Sequence, residues 1–307
     1  MSLRWTDGHR NTQKSNSRAR TVYDLSMSTH STDLSEQGMT PTFAKPPVVE
    51  FSLGAQFDVL SKLSAGHFGQ LWNEFGADWT KPGDGPSIQD QFETFGQPAT
   101  GVPPQLQFRF GPAPTVGRFT LSNDVQDRLL QIQPTRFLLN WKRTESMKPS
   151  YKNLINQFTA MFERLQQFID TNNLGPLVVN QWEVTYVDSF AKGEYWETSK
   201  DWSKILPGLF GELFDSDDLE LNLERRAAQW SFEISPQRGR LHIVGQPGRW
   251  PGDSRECLLL TTTARGPVGT NGVATLREGL DLGHDKAVTA FLEIVNSELH
   301  PQWGPMT

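Results

Sequence analysis

The run RFLLNWKR, Arg136 to Arg143, alternates apolar Phe137, Leu139 and Trp141 with Arg136, Asn140 and Lys142. Side chains alternate across a strand, so a period of two gives one apolar face and one polar face. The next segment, from about Tyr151 to Asn172, changes period. Tyr151, Leu154, Ile155, Phe158, Met161, Phe162, Leu165, Phe168 and Ile169 recur at helical spacing and make one stripe. Ser150 is suited to cap the start of this helix, and Gly175 lies just past its end. A one-sided strand and a one-sided helix each leave an apolar surface that must be covered. Packing one on the other covers both.

The rest of the chain repeats this vocabulary. VVEFSLGAQFDV reads as a strand, and Leu60, Leu63, His67, Leu71 and Phe75 form a helical stripe after it. A Gly/Pro-rich loop is expected over 76–104, then short strands at LQFRF, GRFTL and RLLQIQ. After the long helix come a strand at VVNQWEVTYVDSF, a short helix limited by Pro207, and strands at RAAQWSFEI, GRLHIVG and ECLLLTTTAR. A final helix is expected over about 276–299. EFSLGAQF (50–57) matches EVTYVDSF (183–190) in pattern, and LWNEF (71–75) matches LFGEL (209–213), in the same order. The expected class is therefore α+β with an internal duplication. The first repeat would span 46–174 and the second 175–307, each a curved antiparallel sheet gripping a long C-terminal helix. Ten Trp and 19 Phe supply the bulk for such cores.

Residues 1–45 are rich in Ser, Thr, Asn, Gln and Arg, with sparse, aperiodic apolar residues. Such a segment cannot bury enough surface to offset its ordering entropy, so a disordered or loosely held tail is expected. The net charge is −6, and an acidic body disfavours indiscriminate nucleic-acid binding. The one cysteine, Cys257, excludes an intrachain disulfide and a cysteine zinc site. No apolar run approaches a membrane span, and no signal-peptide core is evident, so a cytoplasmic protein without membrane contact is expected.

The runs PPVVEFSLGAQF, LLQIQPTRFLLNWKR, QWEVTYVDSF and LREGLDLGHDKAVTAFLEIV, followed by Trp303, resemble a family of bacterial and archaeal proteins described only as sporadically distributed and of unknown function. The resemblance covers most of 46–303. It supplies no activity and no catalytic residues. It implies a prokaryotic setting with scattered distribution, and Asn rather than Asp at position 188.

If the apolar faces meet the helices, Glu50, Ser52, Gln56, Asn140 and Lys142 face the other way, as do Glu183, Thr185, Ser189, Glu233, Arg240 and His242. Either this face is solvated, with cross-strand charge pairs, or it encloses a cleft. Leu138 and Val187 on the polar side favour partial covering. The candidate binding residues are Glu50, Asn140, Lys142, Arg143, Glu183, Arg240 and His242. Glu50 and Glu183, at matching positions in the two halves, invite a paired-carboxylate reading, which needs carboxyls about 5–10 Å apart. His67 and His284 lie near helix stripes and read as hydrogen-bonded structural residues. No histidine pair has a metal spacing, and no P-loop, nucleophile elbow or dinucleotide fingerprint is present. The acidic run 212–224 reads as a hydrated loop. Seven Arg and three acidic residues make 225–265 locally basic, a place for phosphate or carboxylate recognition.

These features point to a non-enzymatic binding protein without a cofactor. It would be an accessory or immunity-type partner in a mobile prokaryotic system, recognising a protein or an anionic ligand. The alternative is an enzyme or binding protein for a nucleotide or nucleic acid, working in a polar cleft between the repeats.

Overall fold

A computed structural model describes residues 43–96, 117–144, 150–211, 223–250 and 254–305. Residues 1–42 of the expected tail, the LQFRF strand and nearly all of the acidic run lie outside the described residues.

Among the described residues nine strands form one antiparallel sheet: β1 (Val48–Phe57), β2 (Trp79–Gly85), β3 (Arg118–Asn123), β4 (Arg128–Gln133), β5 (Arg136–Lys142), β6 (Val179–Ala191), β7 (Ala228–Ile234), β8 (Gly239–Arg249) and β9 (Glu256–Pro267). Their order is β2-β3-β4-β5-β1-β6-β9-β8-β7. The helices are α1 (Ala65–Phe75), α2 (Tyr151–Thr171), α3 (Trp202–Ile205) and α4 (Leu276–Ile294). The protein is thus α+β.

The alternation in RFLLNWKR is realised as expected. Phe137, Leu139 and Trp141 are buried on the helix side, where Phe137 meets Phe158 and Phe162 of α2, each with ring centroids 5.5 Å away. Ser150 caps α2, its hydroxyl accepting from the Asn153 amide. At the other end the chain leaves the helix through Asn173, in the left-handed region at φ 52°, ahead of Gly175. α4 lies on β6 and β9. Its start carries a reciprocal cap: Glu278 N–H donates to the Thr275 hydroxyl, and Thr275 N–H to the Glu278 carboxylate. Gly279 and Gly283 face the fully buried Trp182, which fills the space a side chain would need.

The elements differ from the sequence reading at four places. Leu60 and Leu63 are buried but precede α1, which starts after Ser64. The region 76–104 holds a strand, β2, that its Pro and Gly content disguises. An edge strand pairs on one side only and so tolerates Pro82. α3 is a four-residue turn of helix after a short 3-10 segment, Ser199–Asp201, and ends just before Pro207. The last helix stops at Ile294, and a 3-10 helix, Ser297–Trp303, containing Pro301, carries the chain to the buried Trp303. Among the described residues no helix is long and apolar enough to cross a membrane.

Candidate functional site

The face of the sheet opposite the helices is polar but largely covered. Ser52, Gln56, Gln131, Gln133, Arg136, Asn140, Gln181 and Arg265 are all buried there. Buried polar groups need hydrogen-bond partners, since stripping water from them is costly. Their partners define two networks.

The first crosses β3, β4, β5 and β1. Arg118 Nη1 donates to Gln131 Oε1 at 2.7 Å, Gln131 Nε2 to Asn140 Oδ1 at 2.7 Å, and Asn140 Nδ2 to Glu50 Oε1 at 2.6 Å. Lys142 stands opposite Glu50 in the β1–β5 register.

The second is a transverse row set by strand register. Gln133 pairs with Arg136, Arg136 with Gln56, and Gln56 with Gln181. One step along, Glu183 pairs with Arg265, and Arg265 with Arg240. Residues 86–96, which follow β2, belong to no helix or strand, and 88–94 are held by this row through side chains. Gln133 makes a reciprocal pair with the Ile88 backbone, accepting from its N–H at 2.8 Å and donating to its carbonyl at 2.7 Å. Gln56 Oε1 accepts from Gln91 N–H at 2.8 Å and from Arg136 Nη2 at 2.6 Å. Arg136 also donates to the Gln89 carbonyl, and Arg240 to the Thr94 carbonyl. Thr135 donates to Asp90, and Arg265 to the Gln91 side chain.

The strongest contact is at Glu93. Its carboxylate meets Arg240 Nη1 at 2.7 Å, His242 Nε2 at 2.8 Å and Arg265 Nε at 3.2 Å. A carboxylate only accepts, so Nε2 of His242 carries the proton there, and Nδ1 faces the Ser231 hydroxyl at 2.9 Å. Burial alone would raise the Glu93 carboxyl. The His242 hydrogen bond and the charges of Arg265, His242 and Arg240 outweigh it and hold the group below the ordinary carboxylate value. Arg265 also reaches Glu183, 3.3 Å away, and Arg136 lies 3.3 Å from the same oxygen. A small pocket beside these groups is lined by Gly54, Gln56, Arg136, Leu138, Gln181, Glu183 and Arg265. Among the described residues, Arg136 Nε and Gln181 Oε1 have no hydrogen-bond partner.

The expected site residues therefore divide. Glu50 and Asn140 belong to the first network, with Lys142 only opposite Glu50 in register, and Glu183, Arg240 and His242 belong to the second. Arg143 joins neither. It follows the end of β5, and its guanidinium holds the carbonyls of Val48 and Pro46 near Asp188, which belongs to the helix side. Glu50 and Glu183 are not brought to matching positions. Glu50 stands opposite Val187, four residues along β6 from Glu183, which sets their backbones roughly 13 Å apart at about 3.3 Å per residue, and the two carboxylates bond different partners, Asn140 in one case and Arg136 and Arg265 in the other.

Glu93 was missed because it lies in a stretch without periodicity. Arg136, Gln56 and Gln133 were legible only as polar positions on a strand. Of the Arg-rich segment, Arg240 and Arg265 serve this site. Arg226 instead holds the carbonyls of Ser199 and Gly211, and Arg249 that of Ser254.

The remaining candidates lie outside both networks. His67 accepts from Ser64 N–H in the cap of α1. His284 Nδ1 meets Tyr186 Oη at 2.7 Å, and its ring stacks on Tyr151. Burial pushes His284 down to about 4. Cys257 is buried, and that burial raises its thiol. Among the described residues no group of three or more His, Cys, Asp or Glu side chains is placed to hold a metal ion.

No protein-family model matches the chain, and no curated protein matches it.

Proposed function

We propose that this chain is a non-enzymatic interaction protein that captures an extended, acidic segment of a protein partner on the polar face of its sheet. The observation that carries the reading is the Glu93 carboxylate, gripped by Arg240, His242 and Arg265. Charge-assisted contacts of this kind are the strong and selective ones. The bonds from Gln133, Gln56, Arg136 and Arg240 to the backbone of 88–94 supply the other half of a peptide-reading surface, one indifferent to sequence. Because 86–96 is held by side chains and not by a strand ladder, exchanging it for a partner segment leaves the sheet intact.

The same reading treats the protein as a duplicated unit, each half gripping its own long helix. Its support is that EFSLGAQF and EVTYVDSF fall on β1 and β6. These two strands pair antiparallel at the centre of the sheet, each flanked by the last strand of its own half, β5 or β9. An accessory or immunity-type role in a mobile prokaryotic system, in the cytoplasm, fits a protein-capturing face. A nucleotide or nucleic acid is the second reading, because the Arg240 and Arg265 guanidiniums accept a phosphate as readily as a carboxylate.

The test uses a fluorescent peptide of residues 86–96 and the full chain carrying Glu93→Ala, which frees the basic cluster. The peptide is expected to bind in trans. Its affinity should drop by about tenfold or more when Arg265→Ala is added, the scale of one lost charged contact. Competition by a nucleoside triphosphate but not by acidic peptide would favour the second reading. Failure of peptide and nucleotide alike would refute a ligand role for this face.

A further inference from the structure

The sheet ends on two edges, and they are built differently. β2, at one end, runs TKPGDG after Trp79, so Lys81, Pro82 and Asp84 stand along it. Charge and proline are the devices that stop an edge from pairing with another chain. β7, at the other end, runs AQWSFEI and carries no such guard at its centre. Trp230, Ser231, Phe232 and Glu233 are all exposed, Trp230 by 38% and Phe232 by 47%. The two aromatic rings pack edge to face at 5.8 Å, on the same side of the strand. Their register partners, Ile243 and Leu241 of β8, are buried, so the apolar face of the sheet continues through β7 and ends in these exposed rings. Among the described residues the outer edge of β7 pairs with no strand.

We propose that β7 is a dimerisation edge to which a second copy of this chain adds its own β7, antiparallel about Ser231. The segment is self-complementary in that register. Trp230 comes opposite Phe232 of the second copy and Phe232 opposite its Trp230. Gln229 comes opposite Glu233, an amide against a carboxylate, and no charge meets its like. Cross-strand aromatic pairs are among the favourable ones, and both copies use the same patch, as a twofold interface requires. Centring the pair on residue 230 or 232 leaves one aromatic pair in place of two, Trp230 or Phe232 against its own copy, so the register has a physical reason. This site is separate from the basic cluster. The strand meets that cluster at Ser231, whose hydroxyl faces His242, and at Glu233, which stands opposite Arg240 in register.

Residue 231 meets itself on the axis, which makes the register testable. In sedimentation of the full chain, a dimer should appear over the micromolar range. Trp230→Lys combined with Phe232→Lys should weaken it by about tenfold or more, with an unchanged circular dichroism spectrum. Ser231→Glu and Ser231→Lys should each be monomeric alone and recover the dimer when mixed, because opposite charges then face each other. A chain that stays monomeric throughout overturns the proposal. So does a dimer indifferent to the double lysine variant, or a Glu/Lys mixture that does not recover association.

Discussion

Asp188→Asn should stabilise this protein at neutral pH. Asp188 sits on the helix face of β6 with 4% of its surface exposed. It stands opposite Leu260 of β9 and Val48 of β1. Burial pushes its carboxyl up to about 8, against the opposing pull of Arg143. A carboxyl raised this far favours its protonated form in the folded protein at pH 7, whereas the unfolded chain ionises it near its ordinary 3.8. A carboxyl raised in this way contributes full stability below pH 3.8 and loses it as pH climbs to about 8. Neutral pH lies about three pH units above the ordinary value, and each is worth about 1.36 kcal/mol, so the fold bears a cost of about 4 kcal/mol at pH 7. An amide has no proton to gain or lose. Allowing for relaxation around the site, the variant should gain about 2–4 kcal/mol at pH 7, shrinking towards zero near pH 4. Urea unfolding followed by tryptophan fluorescence at several pH values reads this directly. The opposing outcome is specific. If Asp188 is ionised and paired with Arg143, removing its charge should cost about 3–5 kcal/mol, as breaking a buried pair does. The carbonyls that already hold Arg143 argue for the first outcome.

Three further substitutions test the packing. A methyl group at Gly279 would run into the Trp182 indole, and one at Gly283 would stand 2.7 Å from it. Gly279→Ala should thus lose about 1–3 kcal/mol by thermal unfolding despite the helical preference for Ala, and a gain would mean that α4 sits looser on the sheet. Phe158→Ala should cost about 3–5 kcal/mol in urea unfolding, because the ring is buried against Phe137. Phe291→Ala should fall at the lower end of the same range, since its ring, packed on Trp303, keeps a little more exposure.

Much of this architecture was legible in residue order. Alternation told which side of each strand would meet the helices, and it assigned Glu50, Asn140, Glu183, Arg240 and His242 to the other side. Period and capping residues located α2 and the start of α4. β2 escaped because pairing with β3, and not its own pattern, makes it a strand. The segment 86–96 escaped for the same reason. Its conformation is imposed by Gln133, Gln56, Arg136, Arg265 and Arg240, the last two more than 140 positions away along the chain.

The sequence by itself determined the two faces, because the period of a strand or helix is a local property written in consecutive side chains. Only the tertiary structure decided which polar groups would meet. The register of six strands lines Gln133, Arg136, Gln56 and Gln181 into one row and Glu183, Arg265 and Arg240 into the next, and the second draws Glu93 out of an aperiodic stretch. Register and burial depend on contacts between residues far apart in the chain. For that reason the same alternation that marked Asn140 as polar could not say that it would be buried, nor that burial would raise the carboxyl of Asp188.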